Sequence, residues 1–562
     1  MLTGCSSVAP EHSASAHLNE RAEEFDGFQD WCEHYSELDG ATRLTMDELL
    51  HKLYRHRSID RELRDRGAWH KLSQEKKLEF CVDIASQIRL VKGLGLGNKE
   101  ISILSPLRHF VNLEKLYLED NKIEDIRPLS DLENLEVLTL SKNQIIDISP
   151  ISGLEKLGFL TLSHNPITES ENIAHLPENI SSLEMDGIPL ENHHLYIFDR
   201  LKELVRLHLS GTEISDLTFL DSKSKLRFLF ISESKIKDVT PLAELPDLGV
   251  IVLNENLIED ISSLMTLDIG HLELANNQIK DIPEAISQQS LLGWVNLSGN
   301  EIEDITPLLD HPRLEELDLS NNQISVLPPA SVPGSWGPPR LWKLVLSGNA
   351  LEDVSNFKNA KQLVSLDLCS NNITDISFVA QLDNLVRLSL CHNNIADISP
   401  LAQINNIDVV DLSHNPIDDI SILSTVATLS GLNLTNTDVE DISALRSIAQ
   451  LNADSEFGSI FSELFLGHTR VKDIRPLAAF EEIGDLDLSH NSIDDITPLI
   501  NIDIRKLNLS GNRITDLQSL QRLNIRFMLN VRGNPISLEN CPISHPNPEE
   551  AGFKCYFDSR SL

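Results

Sequence analysis

One string recurs along most of this 562-residue chain and limits what the chain can fold into. Leu116-Tyr-Leu118-Glu-Asp-Asn121-Lys-Ile123 reappears as Leu138-Thr-Leu140-Ser-Lys-Asn143-Gln-Ile145 and as Leu160-Thr-Leu162-Ser-His-Asn165-Pro-Ile167. The pattern is L-x-L-x-x-N-x-I, one unit for each step from Asn121 to Asn143 to Asn165. Its Asn position runs through Lys99, Asn121, Asn143, Asn165, Ile188, Thr212, Ser234, Asn256, Asn277, Asn300, Asn322, Asn349, Asn371, Asn393, Asn415, Thr437, Thr469, Asn491, Asn512 and Asn534, a ladder of 20 units. Two steps are long, Asn322 to Asn349 and Thr437 to Thr469. Length alone would suggest several globular domains, but a fixed short period means a stack of small units.

Each position in the unit has a physical task. Leu-x-Leu is a short strand whose alternate side chains face inward. One such strand cannot bury its apolar face, so neighbours must stack into a parallel sheet. The Asn stands where the chain leaves the strand, and its amide can satisfy backbone groups there and one repeat along. Thr212, Ser234, Thr437 and Thr469 can do part of that work. Ile188 cannot, so the fifth unit is expected to be irregular. The second half reads I-x-D-I-[S/T]-P-L, as in Asp147-Ile-Ser149-Pro150 and Asp495-Ile-Thr497-Pro498. This predicts a helix start with the hydroxyl at the N-cap and Pro first inside. So few residues remain before the next strand that a single 3₁₀ turn is expected on the outer side.

These units resemble leucine-rich repeats of the 22-residue class, which includes bacterial internalins and the leucine-rich regulatory subunit of protein phosphatase type 1. The resemblance implies an α/β solenoid: a right-handed horseshoe with a parallel concave sheet, short convex 3₁₀ turns and a small helical N-terminal cap. It covers residues 88–537. It also implies a module that binds other macromolecules and not an enzyme, although a fold alone does not fix a function.

Residues 18–87 break the period. Leu49, Leu50, Leu53 and Tyr54 fall at helical spacing, and Arg61-Glu-Leu-Arg-Asp-Arg66 is densely charged. This segment is read as a helical cap over the first strand, because an open sheet edge invites aggregation. Residues 538–562 are read as a C-terminal cap in which a Cys541–Cys555 disulfide is possible, as in many extracellular proteins of the resembling family. Within residues 1–17, Leu2-Thr-Gly-Cys5 resembles a bacterial lipobox followed by a polar tether. That points to lipidation of Cys5 and a cell-envelope or outer-membrane location, although no charged and apolar signal region precedes Leu2. The alternative is a cytoplasmic repeat scaffold or phosphatase-regulating subunit. Cys32 and Cys81 are placed to tie the helical cap. Cys369 and Cys391 occupy equivalent positions on adjacent strands, at a spacing within disulfide range, but most repeats have Ser in that column, so two small side chains side by side are the simpler expectation.

The formal net charge is −39. Such a balance argues against nucleic acid and against a broad grip on an anionic membrane. Catalytic and metal chemistry are not expected, and neither is a cofactor. Gly93-Leu-Gly95-Leu-Gly97 lacks phosphate-loop spacing and falls on the first strand. His392 with His414, His468 with His490, and the adjacent His193-His194 read as solvated. The recurrent Asp (Asp125, Asp147, Asp304, Asp397 and their equivalents) reads as an acceptor for the backbone of the outer turn, in preference to a calcium ladder.

Strand alternation leaves the residues on either side of the first Leu facing outward. In the earlier units these include Tyr117, Phe159, Phe228, Phe230, Val252 and Trp294, although aromatics are 5% of the chain. Exposed aromatic clusters mark interfaces. In later units the same columns hold Asp318, Asp367 and Asp411. The expectation is a protein partner, host or cell-surface, gripped by an apolar region and an acidic one, with the chain itself monomeric. The inserts near Leu327–Arg340, with Trp336, and Gln450–Phe461 are expected to add contacts.

Overall fold

The structure, a computed structural model, describes residues 25, 27–56, 73–85, 87–168, 174–426, 428–453, 460–536, 541–542 and 553–558. Cys5 and Arg61-Glu-Leu-Arg-Asp-Arg66 lie outside the described residues. Two compact units emerge, one up to Ile258 with Thr266–Asp268, the other holding Glu259–Met265 and everything from Ile269 onward.

Unit 1 opens with three helices, α1 (Phe28–Glu33), α2 (Gly40–His56) and α3 (Gln74–Ala85). A Cys32–Cys81 disulfide joins α1 to α3. Trp31, Met46, Leu49 and Leu50 are fully buried among them. The helices are fastened to the first repeat by specific bonds. Trp31 Nε1 donates to His109 Nε2 at 3.2 Å, Thr45 Oγ1 donates to the Ile103 carbonyl at 2.8 Å, and Phe28 meets Phe110 edge-on at 5.2 Å.

Eight three-residue strands follow: β1 (Gly93–Gly95), β2 (Lys115–Tyr117), β3 (Val137–Thr139), β4 (Phe159–Thr161), β5 (Ser182–Glu184), β6 (Arg206–His208), β7 (Phe228–Phe230) and β8 (Val250–Val252). Each pairs parallel with the next, and their central residues form one register line, Leu94, Leu116, Leu138, Leu160, Leu183, Leu207, Leu229 and Ile251. That line is buried throughout. Every such side chain removed from water contributes about 1.5–3 kcal/mol before entropy is counted, so the stack is held by repetition.

Unit 2 continues the plan with β9 (His271–Glu273), β10 (Trp294–Asn296), β11 (Glu316–Asp318), β12 (Lys343–Val345), β13 (Ser365–Asp367), β14 (Arg387–Ser389), β15 (Val409–Asp411) and β16 (Gly431–Asn433). The long step after Thr437 is explained by an α-helix, α4 (Ala444–Ala453), where most described units have a 3₁₀ turn. From there the strands lengthen: β17 (Ile460–Phe465), β18 (Glu482–Asp487), β19 (Asp503–Asn508) and β20 (Asn524–Asn530). Phe461, Ile483, Ile504 and Ile525 form a second buried register line across them. The chain then adds β21 (Lys554–Tyr556), parallel to β20, with Cys555 bonded to Cys541. The other long step is also internal structure. Trp336 is not a surface contact but buried, with Nε1 donating to the Pro328 carbonyl and its ring against Phe357 at 4.6 Å.

The Asn ladder reaches backward by one repeat. Asn143 Oδ1 accepts from the Ile123 N–H at 3.0 Å, while Nδ2 donates to the Leu118 and Leu140 carbonyls, both at 3.0 Å. Asn393 makes the same set with Ile373, Leu368 and Leu390. Thr437 manages only the local bond, to the Leu434 carbonyl. The residue just before the ladder position has φ between +52° and +70° in all 20 units. Gly, Asn, Asp and His tolerate that left-handed conformation best. This explains the histidines at 164, 392, 414, 468 and 490 and the glycines at 187, 211, 299, 348, 511 and 533.

The fifth unit is irregular, as expected, in its turn and not in its strand: Leu183 keeps register with Leu160 and Leu207. Ile188 is fully buried, and its carbonyl accepts from the Leu190 N–H at 2.7 Å. The adjustment falls in the following turn, Asn192–Arg200, which is long and buries His194, whose Nδ1 accepts from the Glu191 N–H. Two expectations are corrected here. First, the Ser or Thr before Pro is not the N-cap. Ile148 holds that place, and Asp147 closes the turn by accepting from the Ser149 N–H at 2.8 Å and its hydroxyl at 2.9 Å. Second, Cys369 and Cys391 are joined as a disulfide, since register holds their Cα atoms 4.5 Å apart, where two small unlinked side chains were the simpler expectation.

Candidate functional site

The outward strand positions divide by unit. In unit 1, Phe228 and Phe230 sit on β7 in register with Val250 and Val252 on β8. All four are half-buried, Phe159 on β4 likewise, and Tyr117 on β2 is 38% exposed. Leu229 fills the core position between the two phenylalanines, so neither ring is needed there.

Beside β7, the strand β6 contributes two residues that sequence reasoning passed over. Arg206 lies over Phe228, its guanidinium carbon 4.4 Å from the ring centre, and 5.8 Å from that of Phe230. His208 stacks on Phe230 at 4.0 Å. The signal was available: Arg206-Leu-His208 flanks its core leucine as Phe228-Leu-Phe230 does. On β5, Glu184 is half-buried, and burial pushes its carboxyl up, with Asp186 adding to the rise and Arg206 opposing it. Burial likewise pushes the His208 imidazole down, with Asp186, 3.9 Å from it, resisting. The face therefore presents apolar rings around one cation and a neutral imidazole.

Unit 2 uses the same columns differently. Trp294 on β10 is 45% exposed and meets His271 edge-on at 4.5 Å. Asp318, Asp367 and Asp411 fall two strands apart, on β11, β13 and β15. Each turns one oxygen onto its own chain. Asp318 Oδ1 accepts from the Ser320 N–H and hydroxyl, Asp367 Oδ1 from the Cys369 N–H, and Asp411 Oδ1 from the Ser413 N–H and hydroxyl. Asp411 Oδ2 takes a further bond from Asn433. Burial raises the Asp367 carboxyl, with the charges of Asp318 and Asp411 adding to it. At Asp485 burial pulls upward too, but bonds from Lys506 and Arg505 outweigh it and hold the carboxyl low. The acidic columns thus close strand ends and engage neighbours before any partner arrives.

The outer Asp column is committed in the same way. Asp238, Asp260, Asp397 and Asp419 lie below the ordinary carboxylate range because they accept from the hydroxyl and backbone of the residue two positions on. Asp473, bonded to Arg475, is held down to about 2. In the left-handed column His392 stacks on His414 at 3.8 Å and His468 on His490 at 4.2 Å, exposed along one edge. Among the described residues no group of three or more His, Cys, Asp or Glu is placed to hold a metal ion, and no helix is long and apolar enough to cross a membrane.

Comparison with known proteins follows the repeat. Family profiles described as leucine rich repeat match residues 92–167, 313–334 and 383–425. An internalin from Listeria monocytogenes is 30% identical, covering 58% of this chain and 88% of its own, with a TM-score of 0.46. The ectodomain of the plant membrane receptor kinase GASSHO1/SCHENGEN3 from Arabidopsis thaliana, solved with CASPARIAN STRIP INTEGRITY FACTOR 2, is 21% identical. It covers 80% of this chain and 59% of its own, with a TM-score of 0.56. The human geranylgeranyl transferase type-2 subunit alpha is 35% identical over 83 residues, which is 15% of this chain and 14% of that protein. Parallel three-residue strands, an asparagine ladder that bridges neighbouring repeats, and these matches agree: the chain belongs to the leucine-rich repeat family.

Proposed function

We propose that this chain is a protein-binding module, not a catalyst, that docks its partner on the outward face of unit 1. One observation carries the reading. Phe228 and Phe230 occupy solvent-side strand positions where the fold asks for nothing apolar, and they gather Arg206, His208, Val250 and Val252 around them. Aromatic side chains with a nearby Arg are the residues that anchor protein interfaces. Tyr117 and Phe159 extend the same face. Trp294, Asp318, Asp367 and Asp411 form the corresponding face of unit 2 and are secondary in this reading.

The working place is outside the reducing cytosol, as an envelope-anchored monomer lipidated at Cys5 and engaged in adhesion or host contact. Three disulfides support an oxidising compartment over the cytosolic scaffold alternative. The test compares capture of cell-surface proteins by the wild-type chain and by Phe228→Ser/Phe230→Ser. Loss of capture at unchanged stability supports the reading, whereas equal capture removes it. Metabolic labelling with a fatty acid, abolished by Cys5→Ser, tests the anchor.

A further inference from the structure

The face of unit 1 has a polar centre that its own residues leave incomplete. Among the described residues the guanidinium of Arg206 makes no hydrogen bond or ion pair. Nearby cations in the repeats hold carboxylates: Lys225 pairs with Glu203 at 2.5 Å, and Arg227 with Asp247 at 3.6 Å. Arg206 instead sits over Phe228, its guanidinium carbon 4.4 Å from the ring centre. Glu184 is near enough to feel its charge but forms no ion pair with it. Two further polar atoms here lack partners. Ser182 Oγ, on the strand in register with Arg206, and His208 Nε2 are both buried and unbonded. Native structures rarely leave buried atoms such as these two unmatched, so their place on paired strands beside the half-buried Arg206 is an observation in need of a cause.

Resting on the protein-binding reading above, we infer that Arg206 is the anchor of a carboxylate subsite, taking the side chain or C-terminal carboxylate of a partner segment whose adjacent apolar group lies against Phe228 and Phe230. The chemistry follows from the fork. A guanidinium offers paired N–H donors in one plane, which match the two oxygens of a carboxylate. Stacking on Phe228 restricts its rotation, so less freedom is lost on binding. A cation partner is disfavoured by Arg206 itself, and a purely apolar partner would bury an unpaired guanidinium at a penalty. The neutral state of His208, favoured by burial, keeps a second positive charge out of the apolar wall.

The probe pair is 3-phenylpropionate and 3-phenylpropanamide, identical in shape except that the second has no charge. Saturation-transfer NMR on the full chain is expected to show the acid binding in the millimolar range and the amide at least about tenfold more weakly. Arg206→Met keeps packing over Phe228 and removes the donors, so it should abolish the difference between the probes while leaving the thermal transition unchanged. Arg206→Lys, a point charge without the fork, should recover it only in part. Equal binding of acid and amide, no binding of either, or an Arg206→Met protein that still selects the acid would each overturn the subsite. Those results differ from failure of the broader reading, which is judged by partner capture with Phe228→Ser/Phe230→Ser and does not depend on the carboxylate.

Discussion

The two sheet faces are built from the same strand positions, yet they have been put to different uses. On unit 2 the outward column after each core residue holds Asp318, Asp367, Asp411 and Asp487, and each accepts the N–H two residues on. Asn296, Asn433 and Asn508 do the same. Their presence is explained by the chain itself. On unit 1 the column includes Phe230 and Val252, whose side chains accept nothing and close no turn. An outward residue points to a partner only when the fold has no task for it. By that standard the aromatic face is the stronger site, and the acidic columns are largely architecture.

The sharpest way to break this contrast is on the aromatic side. Phe228→Ser/Phe230→Ser should weaken partner capture by about 100-fold, in the range of paired interface anchors. Its unfolding free energy in urea should fall by less than about 1 kcal/mol, since both rings are outside the core. A protein that loses stability but still captures its partner would show that the rings are scaffold after all. The reciprocal change is Asp411→Ala. It strips acceptors from the Ser413 N–H and hydroxyl and from Asn433, so urea unfolding should register a loss of about 1–3 kcal/mol. Capture should be unaltered. Reduced capture at full stability would return the acidic column to the interface.

Acid separates the two kinds of carboxylate next. The outer-turn aspartates, such as Asp397, Asp419 and Asp473, have folded values below the ordinary carboxylate value. Their contribution is therefore present above the unfolded value and lost as pH falls through the folded one. For Asp473 that window runs down to about 2. Denaturation followed from about pH 5 to about pH 2 should show a progressive fall, shallower in Asp473→Asn. A fall of the same steepness in that variant would mean its turn bonds carry no linkage.

Much of this was legible beforehand, for a physical reason. Repetition multiplies a weak local signal, so Leu116, Leu138 and Leu160 announce a strand together where none does alone. The Asn and Asp tasks were also readable, because a side-chain acceptor beside a turn has few uses. Three things were not. The disulfide at Cys369 and Cys391 was within reach of the strand spacing, but a column of Ser elsewhere favoured two small unlinked side chains. The Ser-Pro pair imitates an N-cap, but Asp147 two residues earlier has the better acceptor. Arg206 was passed over, and only its place over Phe228 and near Phe230 sets it apart. The polar status of a residue is a property of its neighbours, and one repeat's neighbours lie a full period away in sequence.

The smallest expected effect is the most diagnostic for the acidic face. Asp367 is the member of its column whose carboxyl is raised, by burial first and then by Asp318 and Asp411. A raised folded value means that the folded state holds the proton more readily than the unfolded chain does. That contribution to stability exists below the unfolded value and disappears as pH rises through the folded one. At neutral pH the ionised Asp367 is thus a small net cost. Asn at this position keeps an oxygen for the Cys369 N–H and drops the charge. Asp367→Asn should therefore be slightly more stable than wild type at neutral pH, and the advantage should vanish toward about pH 3, where the wild-type carboxyl is protonated. Urea titrations at the two pH values measure it. If Asp367→Asn is less stable at neutral pH, the charge itself is wanted, and the row of Asp318, Asp367 and Asp411 regains its claim as a cation-facing surface.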